Sequence, residues 1–434
     1  MPAADTDGEK ENPQRKQSLN AAGNDCQEQR HSSSANVTKT DEQDEQGHSR
    51  YFSQQDQVML LNDTGEVDPD LEWSFEVDDN ALPSDYTGYP AIMEQVFLEA
   101  LFKRVFNSTE RISLTGFNGF KEPTVNRFGF PNIGQSCYMN SSLQGLLTLE
   151  DFVRSISCQE RVWSSVPEAQ LLRRLMDIRD THSSTDPKHK SHCLRSFKEA
   201  VTVHAPEFRD SLQKDAHEFL ISVVDQIRSL SPLLSKSAER LGRRYTCPVE
   251  DHLLFRMENT RRCKKCGAQS MRQEEFTNLS LDLVPGGSVE EMLQEYLMET
   301  ELEFRCECGG RTSGQRSAFA TLPRVLILHL KRFRLTSSFD LEKIQDAVRL
   351  QRDIVVSSLQ GGRCYSLISA ISHFGLKGEA GHYICDGLHP NNCPDEPTDS
   401  WFTYNDSVVF ETTGSSVCQQ RQNSAYVLFY KRHD

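Results

Sequence analysis

The sequence predicts an α+β fold, and three observations carry that prediction. Apolar residues recur at helical spacing through residues 137–230. From residue 250 onward the period shortens to the alternation of half-buried strands. Ahead of both lies a polar, acidic stretch with too few large apolar side chains to build a core.

Charge follows the same division. The 434 residues carry a formal net charge of -15, but residues 1–90 alone hold 20 acidic and 6 basic side chains, and the other 344 hold 43 and 42. The N-terminal acidity repels phosphate. The near-neutral remainder has no basic cluster with interleaved aromatics, so no nucleic-acid partner is expected. There are 13 cysteines, an odd number. The opening MPAADTDGEKENPQRK lacks the apolar core of a secretory signal, and no run of 18 apolar residues exists. The expected setting is therefore a reducing one, cytoplasmic or nuclear, with no membrane partner. In that setting thiols serve as metal ligands, as a nucleophile or as buried apolar groups.

The elements follow in order. Residues 1–50 read as a disordered tail whose burial cannot offset its ordering entropy. It contains Lys10-Glu11-Asn12, which resembles a degradation signal read by a cell-cycle ubiquitin ligase. Residues 51–109 are an acidic segment ending in an amphipathic helix over 91–106, where Met93, Phe97, Leu101 and Val105 recur at four-residue spacing. Helices are expected over Cys137–Leu149, Glu168–Arg179, Cys193–Thr202 and Lys214–Ser229. Strands are expected in FTNLSLDLV (276–284), RVLILHLKRF (324–333), CYSLISAISHF (364–374) and AYVLFYKR (425–432), all rich in β-branched or aromatic residues.

Two features carry chemistry. In FPNIGQSCYMNSSLQGLL (130–147), Cys137 stands where a glycine-containing turn enters a helix. The positive end of a helix dipole favours thiolate, and Asn132 and Gln135 supply amides for a developing oxyanion. The alternative is an inert buried thiol. Far downstream, GEAGHYICD (378–386) places His382 at the start of a strand, and DSWFTYNDSVVF (399–410) offers Asn405 and Asp406 to orient an imidazole. The second feature is Cys263-Lys-Lys-Cys266, with knuckle spacing for tetrahedral zinc. Cys306 and Cys308 are the partner pair expected some forty residues on. The alternative is four unliganded thiols. Cys247 and Cys364 read as ordinary buried cysteines.

Together these motifs resemble the ubiquitin-specific proteases. NIGQSCYMNSSLQ (132–144) is similar to that family's cysteine box and LQKDAHEF (212–219) to its Gln-x-Asp-Ala-x-Glu-Phe box. LPRVLILHLKRF (322–333), GHYICD with WFTYNDSVV, and AYVLFYKR complete the set, over about residues 126–432. The resemblance implies a papain-like cysteine protease domain over 110–434. A helical thumb would span about 126–245 and a β-ribbon fingers region about 255–318, and a mixed palm sheet would form the remainder. It implies hydrolysis of the isopeptide or peptide bond after the C-terminal glycine of ubiquitin through a thioester. Cys137 would be the nucleophile, His382 the base and Asn405 the residue orienting it. Asp406 would support or replace Asn405, and Asn132 would stabilise the oxyanion. Gln213 and Asp215 would contact the arginine-bearing tail of ubiquitin. His373 would line the neighbouring strand and not act as base. Catalysis would need no cofactor; zinc on Cys263, Cys266, Cys306 and Cys308 would be structural. Ubiquitin and ubiquitinated proteins are the implied partners. The alternative is an inactive ubiquitin-binding scaffold of the same fold. Two departures stand out: Gln135-Ser136 replaces the common Asn-Thr, keeping an amide and a hydroxyl, and Cys306-x-Cys308 is one residue shorter than the usual pair.

Overall fold

The computed structural model describes residues 128–336, 341–375, 381–388 and 399–433. The acidic tail, Lys10-Glu11-Asn12 and the helix expected over 91–106 lie outside the described residues. Among those described, no helix is long and apolar enough to cross a membrane.

The first half is helical. α1 (Cys137–Thr148), α2 (Glu150–Ser157), α3 (Glu160–Trp163), α4 (Gln170–Thr181), α5 (Pro187–Thr202), α6 (Ala216–Ser229), α7 (Ser231–Arg240) and α8 (Pro248–His252) follow in order. The sequence places α1, α4 and α6 to within two residues. The start of α5 falls six residues earlier than expected, because Pro187 suits the first turn and Asp186 accepts the backbone N–H groups of Lys188 and His189. α1 is buried at every position from Cys137 to Leu146. It lies so close to the sheet that a Cβ on Gly145 would sit 2.9 Å from the Phe429 ring.

The second half is a twelve-stranded mixed sheet organised around one long strand. β1 (Phe255–Cys263), β2 (Gln269–Phe276), β3 (Leu279–Leu281), β4 (Thr300–Glu303), β5 (Thr312–Phe319) and β6 (Val325–Leu330) come first, with helix α9 (Val289–Tyr296) between β3 and β4. A two-stranded ribbon, β7 (Phe333–Leu335) and β8 (Leu341–Lys343), precedes β9 (Asp353–Ser358) and β10 (Gly361–Phe374). The chain closes with β11 (His382–Leu388), β12 (Trp401–Asn405), β13 (Val408–Thr412), α10 (Gly414–Gln420) and β14 (Ala425–Arg432). β10 is the hub. Its N-terminal half pairs with β9, its C-terminal half pairs with β11, and β14 runs along its other edge. The β11 branch continues to β12 and β13, and β14 continues to β6 and then to parallel β3. β2, β1, β5 and β4 pair in that order as an antiparallel ribbon within the span expected for the fingers. Within the span expected for that ribbon, however, residues 279–296 return to the palm, where Leu279, Leu281, Val289, Met292 and Leu293 join the core of β6 and β10.

The two faces of the central strands feed two cores, as the alternation along a strand requires. On β14, Tyr426, Val427 and Phe429 join α1 and the other helices, whereas Leu428 and Tyr430 face the core beneath α9 and α10. The departure from strict alternation coincides with a register shift against β10 between Ile371 and Ser372.

Arg332, the arginine of HLKRF, is fully buried. Its guanidinium donates to the carbonyls of Ala425 (2.6 Å), Gln422 (2.6 Å), Ile344 (3.1 Å) and Asp346 (3.0 Å), tying three distant segments together. Burial lowers its pKa to about 10, so it stays charged at neutral pH. Arg332→Met is expected to cost about 3–5 kcal/mol, since it strands several buried carbonyls at once. Chemical denaturation measures this; an unchanged midpoint would show that water replaces the guanidinium at no cost.

Candidate active site

Cys137 is the first residue of α1 and is buried. Burial is the largest influence on its thiol and raises the pKa to about 12. The backbone N–H of Tyr383 and those of Tyr138 and Cys137 itself favour thiolate, and the Asp406 charge opposes it. The helix dipole expected from the sequence therefore does not win on its own: desolvation outweighs it. A base has to take the proton.

His382 opens β11, beside α1, next to the Tyr383 whose amide reaches the sulfur. Its Nε2 lies 2.8 Å from Oδ1 of Asn405, the last residue of β12. An amide oxygen can only accept, so this contact places the proton on Nε2 and makes Nδ1 the basic nitrogen. Gly381 precedes it because a Cβ there would stand 2.1 Å from Nε2 of His373. His373 itself lies on β10, is buried, and is lowered to about 3 by burial, Lys343 and neighbouring cations. It is a neutral wall of the site.

Asp406 sits in the two-residue turn between β12 and β13 with φ of 49°, a left-handed conformation that Asp tolerates. Its carboxylate is 4.0 Å from His382 Nε2. It is held instead by two amides: Asn132 Nδ2 donates to Oδ2 at 2.9 Å and Asn140 Nδ2 to Oδ1 at 2.7 Å. Asn132 in turn shapes the cysteine loop. Its Oδ1 accepts the N–H groups of Gly134 (3.1 Å) and Ser136 (3.2 Å), and Ser136 Oγ accepts from Ile133 N–H at 2.9 Å. Gln135 has φ of 45°. Asn enters that region more readily than Gln, so the departure at this position carries backbone strain. Ser136 keeps the hydroxyl that the loop uses.

Gln213 spans two loops at the mouth of the site. Its Nε2 donates to Gln135 Oε1 at 3.3 Å, and its Oε1 accepts the N–H of Gly381 at 3.0 Å. Asp215 caps α6 by accepting the N–H of Glu218 at 2.9 Å, while its Oδ2 accepts the hydroxyls of Tyr383 (3.1 Å) and Tyr426 (2.6 Å). Glu218, quoted in the DAHEF motif but given no role there, stands one turn along. The residue reaches the surface, yet partial burial of its carboxyl, with Asp215 and Glu207 nearby, raises it to about 7. It is the less committed acid of the pair. A cavity of 630 Å³ opens at the far end of α1, lined by Gln144, Leu147, His182, Leu388 and Tyr404 among others. It holds none of the expected catalytic residues.

At the tips of the fingers, β1 and the loops after β1 and β4 bring the four expected cysteines together. The sulfurs of Cys263, Cys266, Cys306 and Cys308 all lie within 4.8 Å of one another, with Cys263–Cys308 and Cys266–Cys306 at 3.7 Å. Tetrahedral zinc with Zn–S bonds of about 2.3 Å requires sulfurs about 3.8 Å apart, so the set fits that ion. The short C-x-C pair closes because Gly309, at φ of 78°, turns the chain, and Gly310 N–H reaches Cys308 Sγ at 3.4 Å. The backbone N–H groups of Cys266 and Lys265 lower the Cys263 thiol to about 6. Cys247 is buried as expected, whereas Cys364 is exposed.

The family profile of ubiquitin carboxyl-terminal hydrolase matches residues 128–430. Ubiquitin carboxyl-terminal hydrolase 37 of Homo sapiens is 35% identical over 251 residues, covering 53% of this chain and 26% of that protein. Ubiquitin carboxyl-terminal hydrolase 29 of Mus musculus is 29% identical over 268 residues, covering 57% and 31%. The similarity thus spans between a quarter and a third of the length of these relatives. Among solved structures, a SAGA DUB module containing Ubp8, Sgf11, Sus1 and Sgf73 bound to monoubiquitin superposes with a TM-score of 0.61 at 22% identity, over 79% of this chain and 76% of that one. The same module bound to ubiquitin aldehyde gives 0.59 at 21%. Those structures share the fold, and the profile match over most of the described chain settles the family: the chain belongs to the ubiquitin carboxyl-terminal hydrolases, as a member of the ubiquitin-specific proteases.

Proposed function

We propose that the chain is a thiol-dependent deubiquitinase that cleaves the bond after the C-terminal glycine of ubiquitin. The observation that carries this is the His382–Asn405 hydrogen bond of 2.8 Å beside the buried thiol that begins α1. His382 Nδ1 accepts the Cys137 proton as the sulfur attacks the glycine carbonyl. The second hydrogen of Asn132 Nδ2 and the N–H groups at the start of α1 stabilise the oxyanion. His382 returns its proton to the leaving amine, and a thioester remains. His382 then deprotonates water, which releases ubiquitin as a carboxylate and restores the thiol. Asp406 is assigned to holding Asn132, since two amides occupy it and His382 is already oriented by Asn405.

Asp215 and Glu218 form the acidic wall that would receive arginines of the ubiquitin tail, with Gln213 across the entrance. Asp215 is fixed by two tyrosine hydroxyls, so Glu218 is the more available partner, and an arginine there would return its raised carboxyl to the ionised form. Hydrolysis of ubiquitin carrying a C-terminal fluorogenic amide tests the proposal. Binding of ubiquitin without release of the fluorophore would favour the inactive scaffold instead.

Zinc on Cys263, Cys266, Cys306 and Cys308 would cross-link the tips of a ribbon that buries little of its own surface. Purified protein is expected to carry about one zinc per chain, and Cys308→Ser to lower both zinc content and melting temperature. A folded wild-type chain with no bound metal would refute the site. The Lys10-Glu11-Asn12 signal and a nuclear or cytoplasmic residence remain part of the proposal on sequence grounds alone.

A further inference from the structure

We propose that Asn140 is a positioning residue for the oxyanion site: it clamps the Asp406 carboxylate that holds the Asn132 amide. The inference rests on the reading of Asn132 as the oxyanion donor. Asn140 lies one turn after Cys137 on α1 and is buried. Its side-chain nitrogen has two hydrogens, and its surroundings use both. One meets Asp406 Oδ1 at 2.7 Å; the other is shared by the carbonyls of Pro131 at 3.3 Å and Phe130 at 3.4 Å.

The same segment is tied back to the turn, where the Asp406 carbonyl accepts Phe130 N–H at 2.8 Å. Asn140 therefore joins the catalytic helix, the approach to the cysteine loop and the turn after Asn405. Its own Oδ1 is buried with no hydrogen-bond partner. An apolar side chain of the same shape would avoid that cost but would strip the donor from the buried Asp406 carboxylate, so what the amide contributes is its nitrogen. A carboxylate gripped at one oxygen only can rotate, and His382 Nε2 stands 4.0 Å away as a competing partner. With Oδ1 fixed by Asn140, Oδ2 stays on Asn132 and aims its remaining N–H at the place where charge develops.

The test uses the full chain with a ubiquitin C-terminal fluorogenic amide, ubiquitin aldehyde and unmodified ubiquitin. Asn140→Leu keeps the volume and removes the donors; Asn140→Ala is the second variant, and melting curves confirm that each is folded. We expect kcat to fall by about ten-fold or more with KM within about two-fold. Affinity for ubiquitin aldehyde, whose adduct places an oxygen in the oxyanion position, should fall by a similar factor, while affinity for ubiquitin holds. Added to Asn132→Ala, the change should cost nothing further. Folded Asn140 variants with wild-type kcat, alongside an impaired Asn132→Ala, would overturn the clamp and leave the proposed function standing. Losses that multiply in the double variant would also overturn it. An Asn132→Ala enzyme with unchanged kcat would remove the oxyanion reading itself.

Discussion

Cys137→Ala is expected to release no measurable product from a ubiquitin C-terminal amide, a loss on the order of 10⁴-fold or more in kcat. The size follows from the chemistry. Without the sulfur no thioester forms, and the groups left at the site can only polarise a carbonyl that water attacks unaided. Ubiquitin is still expected to bind, because Glu218 and the Gln213 bridge do not depend on the thiol. Progress curves for turnover and calorimetry for binding separate the two effects. A variant that retained a tenth of wild-type activity would assign the nucleophile to another residue.

His382→Ala comes next, with a loss on the order of 10³-fold or more. Its consequence for pH is equally specific. The Cys137 thiol is pushed up to about 12, chiefly by burial. A raised pKa leaves the neutral, unreactive form dominant through the neutral range, and the thiolate grows about tenfold per pH unit below that pKa. With the imidazole gone, alkylation of Cys137 by iodoacetamide should therefore climb steadily from pH 6 to pH 10. The wild type should be alkylated faster than the variant, because His382 accepts the proton. A His382→Ala profile that is flat above pH 6 would mean that the thiolate is stabilised by something other than the imidazole.

Much of this site could be read from the chain because its parts sit at element ends. Cys137 begins a helix, His382 begins a strand and Asn405 ends one; His382 meets Asn405, and the amide of its neighbour Tyr383 reaches the Cys137 sulfur. The apolar alternation in 425–432 and 364–374 located the two longest central strands. Other features depend on residues far away in sequence and left no local signal. The thiol's acidity is decided by the burial that packing of α1 against the sheet imposes, against the trend that a helix start suggests. Residues 279–284 alternate like their neighbours, yet β3 pairs with β6. Asp406 looked interchangeable with Asn405 because the two are adjacent. Asn132 and Asn140, more than 260 residues earlier, both donate to the Asp406 carboxylate. Glu218 is visible as a letter in a motif, but its raised carboxyl depends first on partial burial and then on Asp215 and Glu207 nearby.

The central claim is that Cys137 is the nucleophile directed at the C-terminus of ubiquitin. Ubiquitin carrying an electrophilic C-terminal group, incubated with the full chain and followed by intact mass and peptide mapping, tests it most directly. The account predicts one ubiquitin per chain, linked through Cys137, with no adduct on Cys137→Ala. A ubiquitin adduct on Cys137→Ala, or one mapped to another cysteine of the wild type, would contradict it.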